Sequence, residues 1–298
     1  MAFSNLYYTI LNKPFFIDLR RIDAQAVIID RLLRHETAGW EGGRLSERKP
    51  LERVYLWEQP EVEARGRVVT TDFNKAPEGS VAVVTLNGDM IKEGTYCSYG
   101  TEEIANVLRE AADSRKICGI RLDIDSGGGA VDAIAPMLSA IAYSQSKGKP
   151  VVACCDLCAS AAYYVACHCD RVVACNDISS EFGSIGVMMS FPDYAKYYED
   201  HGIKIHTIYS NLSDYKNAPF EAARKGDYAA IKTEQLDPLA LKFQEAVKSR
   251  RAALKTDVAG ILNGRMFFAK DALANGLIDE VGSVESATRA VWQISQTL

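Results

Sequence analysis

After residue 80 the chain alternates between two spacings of apolar residues. Three short runs rich in β-branched residues, Val81–Gly88, Ile117–Asp125 and Pro150–Cys155, predict buried strands. Between them, Thr101–Arg115 and Val131–Ser144 carry apolar residues at helical spacing. Strands that alternate with helices predict an α/β fold, with a parallel or mixed sheet covered by helices on both faces.

The same alternation continues towards the carboxyl end. Further strands are predicted at Arg171–Cys175, Val187–Phe191 and Lys204–Tyr209. Further helices are predicted at Asp193–His201, Leu236–Leu254, Ala269–Asn275 and Ser283–Ile294.

The first 75 residues are less regular. A helix is predicted at Ile22–Arg34, and the polar stretch Pro60–Asn74 predicts a linker or arm. We therefore expect residues 1–75 to form an amino-terminal extension used in packing or assembly. Residues 76–298 would then form the main domain.

Composition narrows the class of protein. The chain is 48% hydrophobic and 24% charged, which is ordinary for a soluble globular protein. Its net charge of -5 gives no general footprint for nucleic acid or an anionic membrane. No apolar run approaches the ~20 residues of a membrane span, and the amino terminus lacks the basic region and cleavage site of a secretory signal. We expect a cytosolic protein.

Six of the eight cysteines crowd the central part of the chain, between Cys154 and Cys175. Their spacing superficially resembles a zinc site, yet Cys154 and Cys155 would point to opposite faces of one strand. We therefore favour buried, reduced thiols and expect no metal or cofactor.

Ser160 lies where the strand at Pro150–Cys155, after a turn at Asp156–Leu157, is expected to give way to a helix. Small neighbours would let a substrate carbonyl approach, and free N–H groups at the helix start could stabilise an oxyanion. Ser160 is thus a candidate nucleophile. The alternative is a serine that only caps the helix.

The sequence Asp125-Ser126-Gly127-Gly128-Gly129 follows a predicted strand and precedes a helix. Successive glycines let the backbone approach a ligand closely and expose N–H groups. The chain matches neither phosphate-binding glycine pattern, so a peptide or thioester carbonyl oxygen is the better guest.

A serine nucleophile needs a base. Of four histidines, His168 would lie roughly 12 Å beyond Ser160 along a helix, which disfavours a Ser–His pair. Lys216, in the sequence SDYKNAP, is the candidate base, although spacing alone does not single it out among 34 basic residues. A lysine base must be neutral, so we expect Lys216 to be buried near apolar groups.

Four motifs in order, DIDSGGGAVDA, ASAAYYVA, EFGSIGVMM and SDYKNAP, resemble peptidase family S49, the signal-peptide-peptidase-A family. The resemblance covers about residues 81–282. It implies a Clp protease/crotonase-like spiral of ββα units, with a parallel sheet flanked by helices and ring-like homo-oligomers. The implied site residues are the nucleophile Ser160, the base Lys216, the oxyanion-hole residues Gly128, Gly129 and Ala161, and Ser184 as the residue that orients the lysine.

Details within the motifs separate branches of that family. Gly127 stands where the family usually has proline, and SAAY with DIDS resembles the phage and prophage capsid-assembly branch. The resemblance therefore implies a Ser–Lys endopeptidase that cleaves proteins or peptides, in capsid or scaffold maturation. The alternatives are cytosolic degradation of peptides, including cleaved signal peptides, and a non-catalytic assembly scaffold. A crotonase-like acyl-CoA enzyme fits the fold alone and would not require Ser160 and Lys216 together.

Overall fold

The computed structural model describes residues 15–17, 51–59, 62–94, 98–191 and 193–298. Within these residues a nine-stranded sheet forms the centre, and a two-stranded sheet stands apart from it. The strands are β1 (Phe15–Ile17), β2 (Arg53–Gln59), β3 (Val62–Thr70), β4 (Ser80–Asn87), β5 (Ile117–Ser126), β6 (Gly128–Ala130), β7 (Val151–Ala159), β8 (Arg171–Ala174), β9 (Glu181–Gly183), β10 (Met266–Phe268) and β11 (Glu280–Val281).

Helices follow most of the parallel strands. They are α1 (Thr101–Asp113), α2 (Ile134–Ser146), α3 (Ala161–Ala166), α4 (Ala195–Asp200), α5 (Ala218–Arg224), α6 (Ala229–Ile231), α7 (Asp237–Arg250), α8 (Ala269–Ala274) and α9 (Val284–Ser295). A π-helical segment, Lys232–Leu236, joins α6 to α7.

The middle of the sheet is parallel, in the order β4, β5, β7. These strands are apolar on both faces because helices cover both faces. The larger core lies on the side of α1 and α2, and a second cluster that includes Val81, Val152 and Val173 packs against Val291 of α9. The predicted α/β class, with helices flanking a parallel sheet, is confirmed.

Strand β7 is longer than the sequence predicts, and this positions the site. Its first half, Val152–Cys155, pairs with β8, whereas Leu157–Ala159 pairs with β9. The expected turn at Asp156–Leu157 is wrong, because β9 supplies a new partner for the backbone where β8 ends.

Three other expectations fail for identifiable reasons. The predicted strand at Lys204–Tyr209 has no regular structure, and its isoleucines are exposed rather than buried on one face. Val187–Phe191 forms no continuous strand, since the preceding residues Glu181–Gly183 take the place beside β7. The expected linker at Pro60–Asn74 contains β3, an edge strand whose low hydrophobicity conceals it.

The amino-terminal region thus contributes to the main sheet. Strand β2 pairs with both β3 and β4, so β2 and β3 continue the sheet that carries β4, β5 and β7. The predicted helix Ile22–Arg34 lies outside the described residues.

The first prediction concerns Tyr163, which is fully buried and whose hydroxyl donates a 2.7 Å hydrogen bond to the Leu277 carbonyl. Tyr163→Phe leaves that carbonyl without its donor and should lower the free energy of unfolding by about 1–3 kcal/mol. Urea denaturation measures the loss. Tyr143→Phe is the matched control, since its hydroxyl bonds Asp113 in an exposed position and should matter less. Equal losses of unfolding free energy in the two variants would show that the buried Tyr163 hydrogen bond contributes no more than the exposed one, and would contradict the prediction.

Candidate active site

Ser160 is the single residue between strand β7 and helix α3. Its backbone has φ 54° and ψ −119°, a region that residues other than glycine rarely occupy. Its neighbours Ala159 and Ala161 are fully buried and small. A strained strand-to-helix turn between small residues presents a side chain at the end of a sheet, as nucleophilic serines require.

The Ser160 hydroxyl has no protein partner. The side chain is 1% exposed, and its Oγ makes no hydrogen bond with any described residue. The alternative, in which this hydroxyl only caps the helix, is wrong, because it accepts no hydrogen bond from the first turn of α3. A buried hydroxyl without a partner costs about 1–3 kcal/mol, so such a group calls for a functional explanation.

Backbone hydrogen bonds hold the turn in place. The Ser160 N–H donates to the Gly183 carbonyl at 2.9 Å, and the Ser160 carbonyl accepts from the Tyr164 N–H at 2.9 Å. At Gly183 a Cβ would collide with the Arg265 carbonyl oxygen, so a side chain is excluded there. The turn is therefore fixed from β9 on one side and from its own helix on the other.

Ser184 lies beside Ser160. Ala159 of β7 is in register with Gly183 of β9, so the two serines leave neighbouring strands at the same level. Ser184 also has a positive φ of 54°, and its N–H donates to the Arg265 carbonyl at 3.0 Å. The structure thus brings these two predicted site residues together.

The glycine segment is anchored by Ser126 and Met90, which sequence reasoning missed. The buried Ser126 hydroxyl donates to the Gly88 carbonyl at 2.5 Å and accepts from the Gly128 N–H at 3.1 Å. The Met90 N–H donates to the Gly128 carbonyl, and the Ala130 N–H donates to the Met90 carbonyl, both at 2.8 Å. Ser126 stood within the motif, but only the tertiary contacts reveal its role.

These contacts explain why residue 129 is glycine. They also show which N–H groups of the predicted oxyanion hole already have an acceptor. A Cβ on Gly129 would collide with the Met90 backbone, so that residue must be glycine. The Gly128 N–H is already bonded to Ser126, whereas Ala161 opens α3 and its N–H has no acceptor within the helix. Strand β6 (Gly128–Ala130) is the glycine strand. Helix α3 contacts it, so the start of the helix lies close to the glycine strand.

Lys216 does not join this site in the structure. It lies in an exposed turn before α5, where its N–H donates to the Ser213 carbonyl. Since Ser160 Oγ bonds to none of the described residues, Lys216 is not hydrogen-bonded to it. The expected burial of Lys216 is wrong, because the whole turn from Ser210 to Asn217 is largely solvent-exposed.

His168 is occupied elsewhere. Its ring stacks on Tyr164 with centroids 5.4 Å apart, and its Nδ1 lies 2.8 Å from the Tyr164 carbonyl oxygen. Burial lowers the pKa of His168. These contacts give the histidine a packing role beyond the end of α3.

The cysteines pack as small apolar residues. Cys155 lies in the main core and Cys154 in the second cluster, so the prediction of opposite faces is confirmed. Burial raises the pKa of Cys167 to about 12 and holds that of Cys155 well above its usual range. Within the described ranges, no three His, Cys, Asp or Glu side chains are grouped so that they could hold a metal ion.

The sequence of the chain also matches a known protein family. A model of peptidase family S49 matches residues 143–296, just over half of the chain. The chain belongs to peptidase family S49. The matched region contains Ser160, Ser184 and Lys216, and membership agrees with the Clp protease/crotonase-like fold that the motifs imply.

Two relatives illustrate the range of this family. Protease 4 of Haemophilus influenzae is 28% identical over 72% of this chain, which covers 34% of that protein. The head-tail preconnector protein GP5 of Enterobacteria phage P21 is 30% identical over 63% of this chain, which covers 37% of that protein. The chain therefore spans about a third of the length of these relatives.

A solved structure, the 1510-N membrane-bound stomatin-specific protease in a mutant form with a substrate peptide, aligns over 72% of this chain and 78% of its own. It has 15% sequence identity and a TM-score of 0.43. Among the described residues, no helix is both long and apolar enough to cross a membrane.

The second prediction concerns stability at Ser160. Ser160→Ala removes a buried hydroxyl that has no partner, so the free energy of unfolding should rise by about 1 kcal/mol. Ser160→Gly should also relieve the strain of the positive φ. Chemical denaturation measures both. Ser249→Ala removes an exposed hydroxyl and should change stability by less than about 0.5 kcal/mol. A clear loss of stability in Ser160→Ala would restore the helix-cap interpretation.

Proposed function

We propose that this chain is a serine endopeptidase that cleaves extended protein or peptide segments through an acyl-enzyme. The observation that carries the proposal is the Ser160 hydroxyl, which is buried on a strained strand-to-helix turn and has no hydrogen-bond partner among the described residues. Family membership adds independent support for peptidase chemistry.

In the proposed reaction, Ser160 Oγ attacks the substrate carbonyl carbon and its proton passes to Lys216. As the new C–O bond forms, the carbonyl oxygen becomes an oxyanion, which the N–H groups of Gly128 and Ala161 stabilise. The Gly129 N–H, included in the predicted oxyanion hole, lies on the β1 side of β6 and is left to the substrate backbone. The C–N bond then breaks and the leaving amine takes the proton from the lysine. A water molecule hydrolyses the ester and restores the serine.

Two rearrangements are required by this mechanism. Lys216 must approach Ser160 and lose its exposure, since only a neutral lysine accepts a proton. In this proposal Ser184, which leaves β9 beside Ser160, orients the incoming lysine amine. The Gly128 N–H must also share or release its bond to Ser126 when it serves the oxyanion.

A homo-oligomer would provide the burial that Lys216 lacks. The segment before it exposes large apolar side chains, with Ile208 92% and Leu212 93% exposed. Apolar groups exposed to this degree, close to a site residue, favour a covering surface. We propose that a second copy covers this segment and that the amino-terminal extension contributes to the same assembly through residues other than β1, β2 and β3, which pair within the chain.

Two biological roles are compatible with this chemistry. The relative named a head-tail preconnector protein favours processing of capsid or scaffold proteins. The relative named Protease 4 supports protease activity alone, with which degradation of peptides in the cytosol is also compatible. Mass spectrometry distinguishes the two roles when this chain is co-expressed with proteins encoded by neighbouring genes and the cleavage products are identified. The exposed Lys216 favours a third candidate, a non-catalytic assembly scaffold, which an active-site probe excludes if it labels Ser160.

The third prediction tests the dyad. Ser160→Ala should abolish labelling by a fluorophosphonate probe and lower cleavage of unfolded casein by at least about 10³-fold. Lys216→Arg should lower cleavage by about 10²–10⁴-fold, because a guanidinium does not deprotonate at working pH. Lys225→Arg is the matched control, because Lys225 is an exposed lysine directly after α5. This variant should keep wild-type turnover. Full activity in Lys216→Arg would require another base.

The fourth prediction tests assembly. Light scattering on the full chain should give a mass of several protomers. The double variant Ile208→Glu with Leu212→Glu should give a smaller species, because burying the new charges is unfavourable. Ile178→Glu changes an isoleucine that is 84% exposed outside this segment and should leave the mass unchanged. A monomeric wild-type chain that still cleaves casein would rule the proposal out.

A further inference from the structure

Strand β1 occupies the free edge of the glycine strand. It pairs with β6 in antiparallel register, with Phe15 opposite Ala130, Phe16 opposite Gly129 and Ile17 opposite Gly128. These strands form their own two-stranded sheet, although they lie far apart in the sequence. The amino-terminal segment β1 therefore pairs directly with the glycine strand, which contacts the helix that follows Ser160.

The hydrogen-bond directions identify the central pair of this ladder. The Gly128 carbonyl accepts from the Met90 N–H and the Ala130 N–H donates to the Met90 carbonyl, on the side of β6 opposite β1. Since successive residues of a strand face opposite sides, the N–H and carbonyl of Gly129 face β1. Phe16 and Gly129 therefore form the pair that exchanges backbone hydrogen bonds.

The same edge suits a peptide held in extended form. A strand added to an open edge binds through main-chain hydrogen bonds, and glycines present no side chains to obstruct it. Helix α3, which begins directly after Ser160, contacts both β6 and β1. A peptide on this edge would pass close to the nucleophile, in the place that β1 holds.

We propose that Phe15–Ile17 acts as an internal competitor for the edge of Gly128–Ala130 on which the substrate backbone binds. This inference rests on the proposed peptidase function and adds its regulation. An attached segment acts at an effective concentration in the millimolar range, which can offset the weakness of a three-residue ladder. The segment would thus raise the substrate concentration needed for half-maximal cleavage and leave the chemical step unchanged.

The test separates the two β1 positions that differ in hydrogen bonding. Phe16→Pro removes the N–H that bonds Gly129, whereas Ile17→Pro alters a residue whose N–H faces away from β6. Both are made in the full chain, and circular dichroism confirms that each folds. Titration measures the binding of a fluorescent peptide with the sequence of residues 12–20, using Ser160→Ala protein so that cleavage cannot interfere.

We expect Phe16→Pro to bind this peptide about 10-fold or more tightly than the parent and the Ile17→Pro variant. In the active protein, Phe16→Pro should lower KM for casein by a similar factor at unchanged kcat. Equal peptide affinity in all three proteins would overturn the inference. If Phe16→Pro fails to fold, faster hydrogen exchange of the Phe16 amide in Ser160→Ala protein on adding casein gives the same decision, since casein would displace β1, and unchanged exchange overturns it.

Fluorophosphonate labelling of wild-type protein distinguishes the two levels of the argument. Labelling with equal peptide affinities leaves the peptidase proposal intact and removes the internal competitor. Absence of labelling, with tighter peptide binding to Phe16→Pro, removes the peptidase proposal and retains the peptide-binding edge.

Discussion

The geometry of the site depends on strand β7 changing partners halfway along its length. Its first half is covered by β8, and its last three residues by β9. This second pairing carries the chain straight to Ser160, and the bond from the Ser160 N–H to the Gly183 carbonyl fixes the turn. Without β9, the end of β7 would have unpaired backbone groups on one edge, and the residue at positive φ would lose one of its two backbone hydrogen bonds.

Burial around Ser160 has two opposite effects on the stability of the fold. Fully buried alanines on both sides keep the turn rigid and exclude bulky groups, which stabilises the fold. The same burial leaves the Ser160 hydroxyl without a partner, which destabilises it. A residue that is both strained and unsatisfied is expected where function, rather than stability, determines the side chain.

Sequence reasoning located the parts of this structure that local patterns determine. The parallel strands, α1, α8 and the position of Ser160 follow from apolar spacing and turn residues. The role of Ser126 and the need for glycine at 129 depend on the Met90 backbone, which is distant in sequence. Strand β3 and the irregular Lys204–Tyr209 were misjudged because pairing and burial, rather than propensity, decide whether a segment forms a strand.

The glycine strand shows how two faces of one short segment acquire different uses. Its Met90 side is closed by two backbone hydrogen bonds to Met90 and by the absence of a Cβ on Gly129, so it is a fixed part of the fold. Its other edge offers the Gly129 backbone groups and, among the described residues, is paired with the three residues of β1. A rigid strand with one lightly held edge, next to a serine without a partner, has the asymmetry that binding and releasing an extended peptide requires.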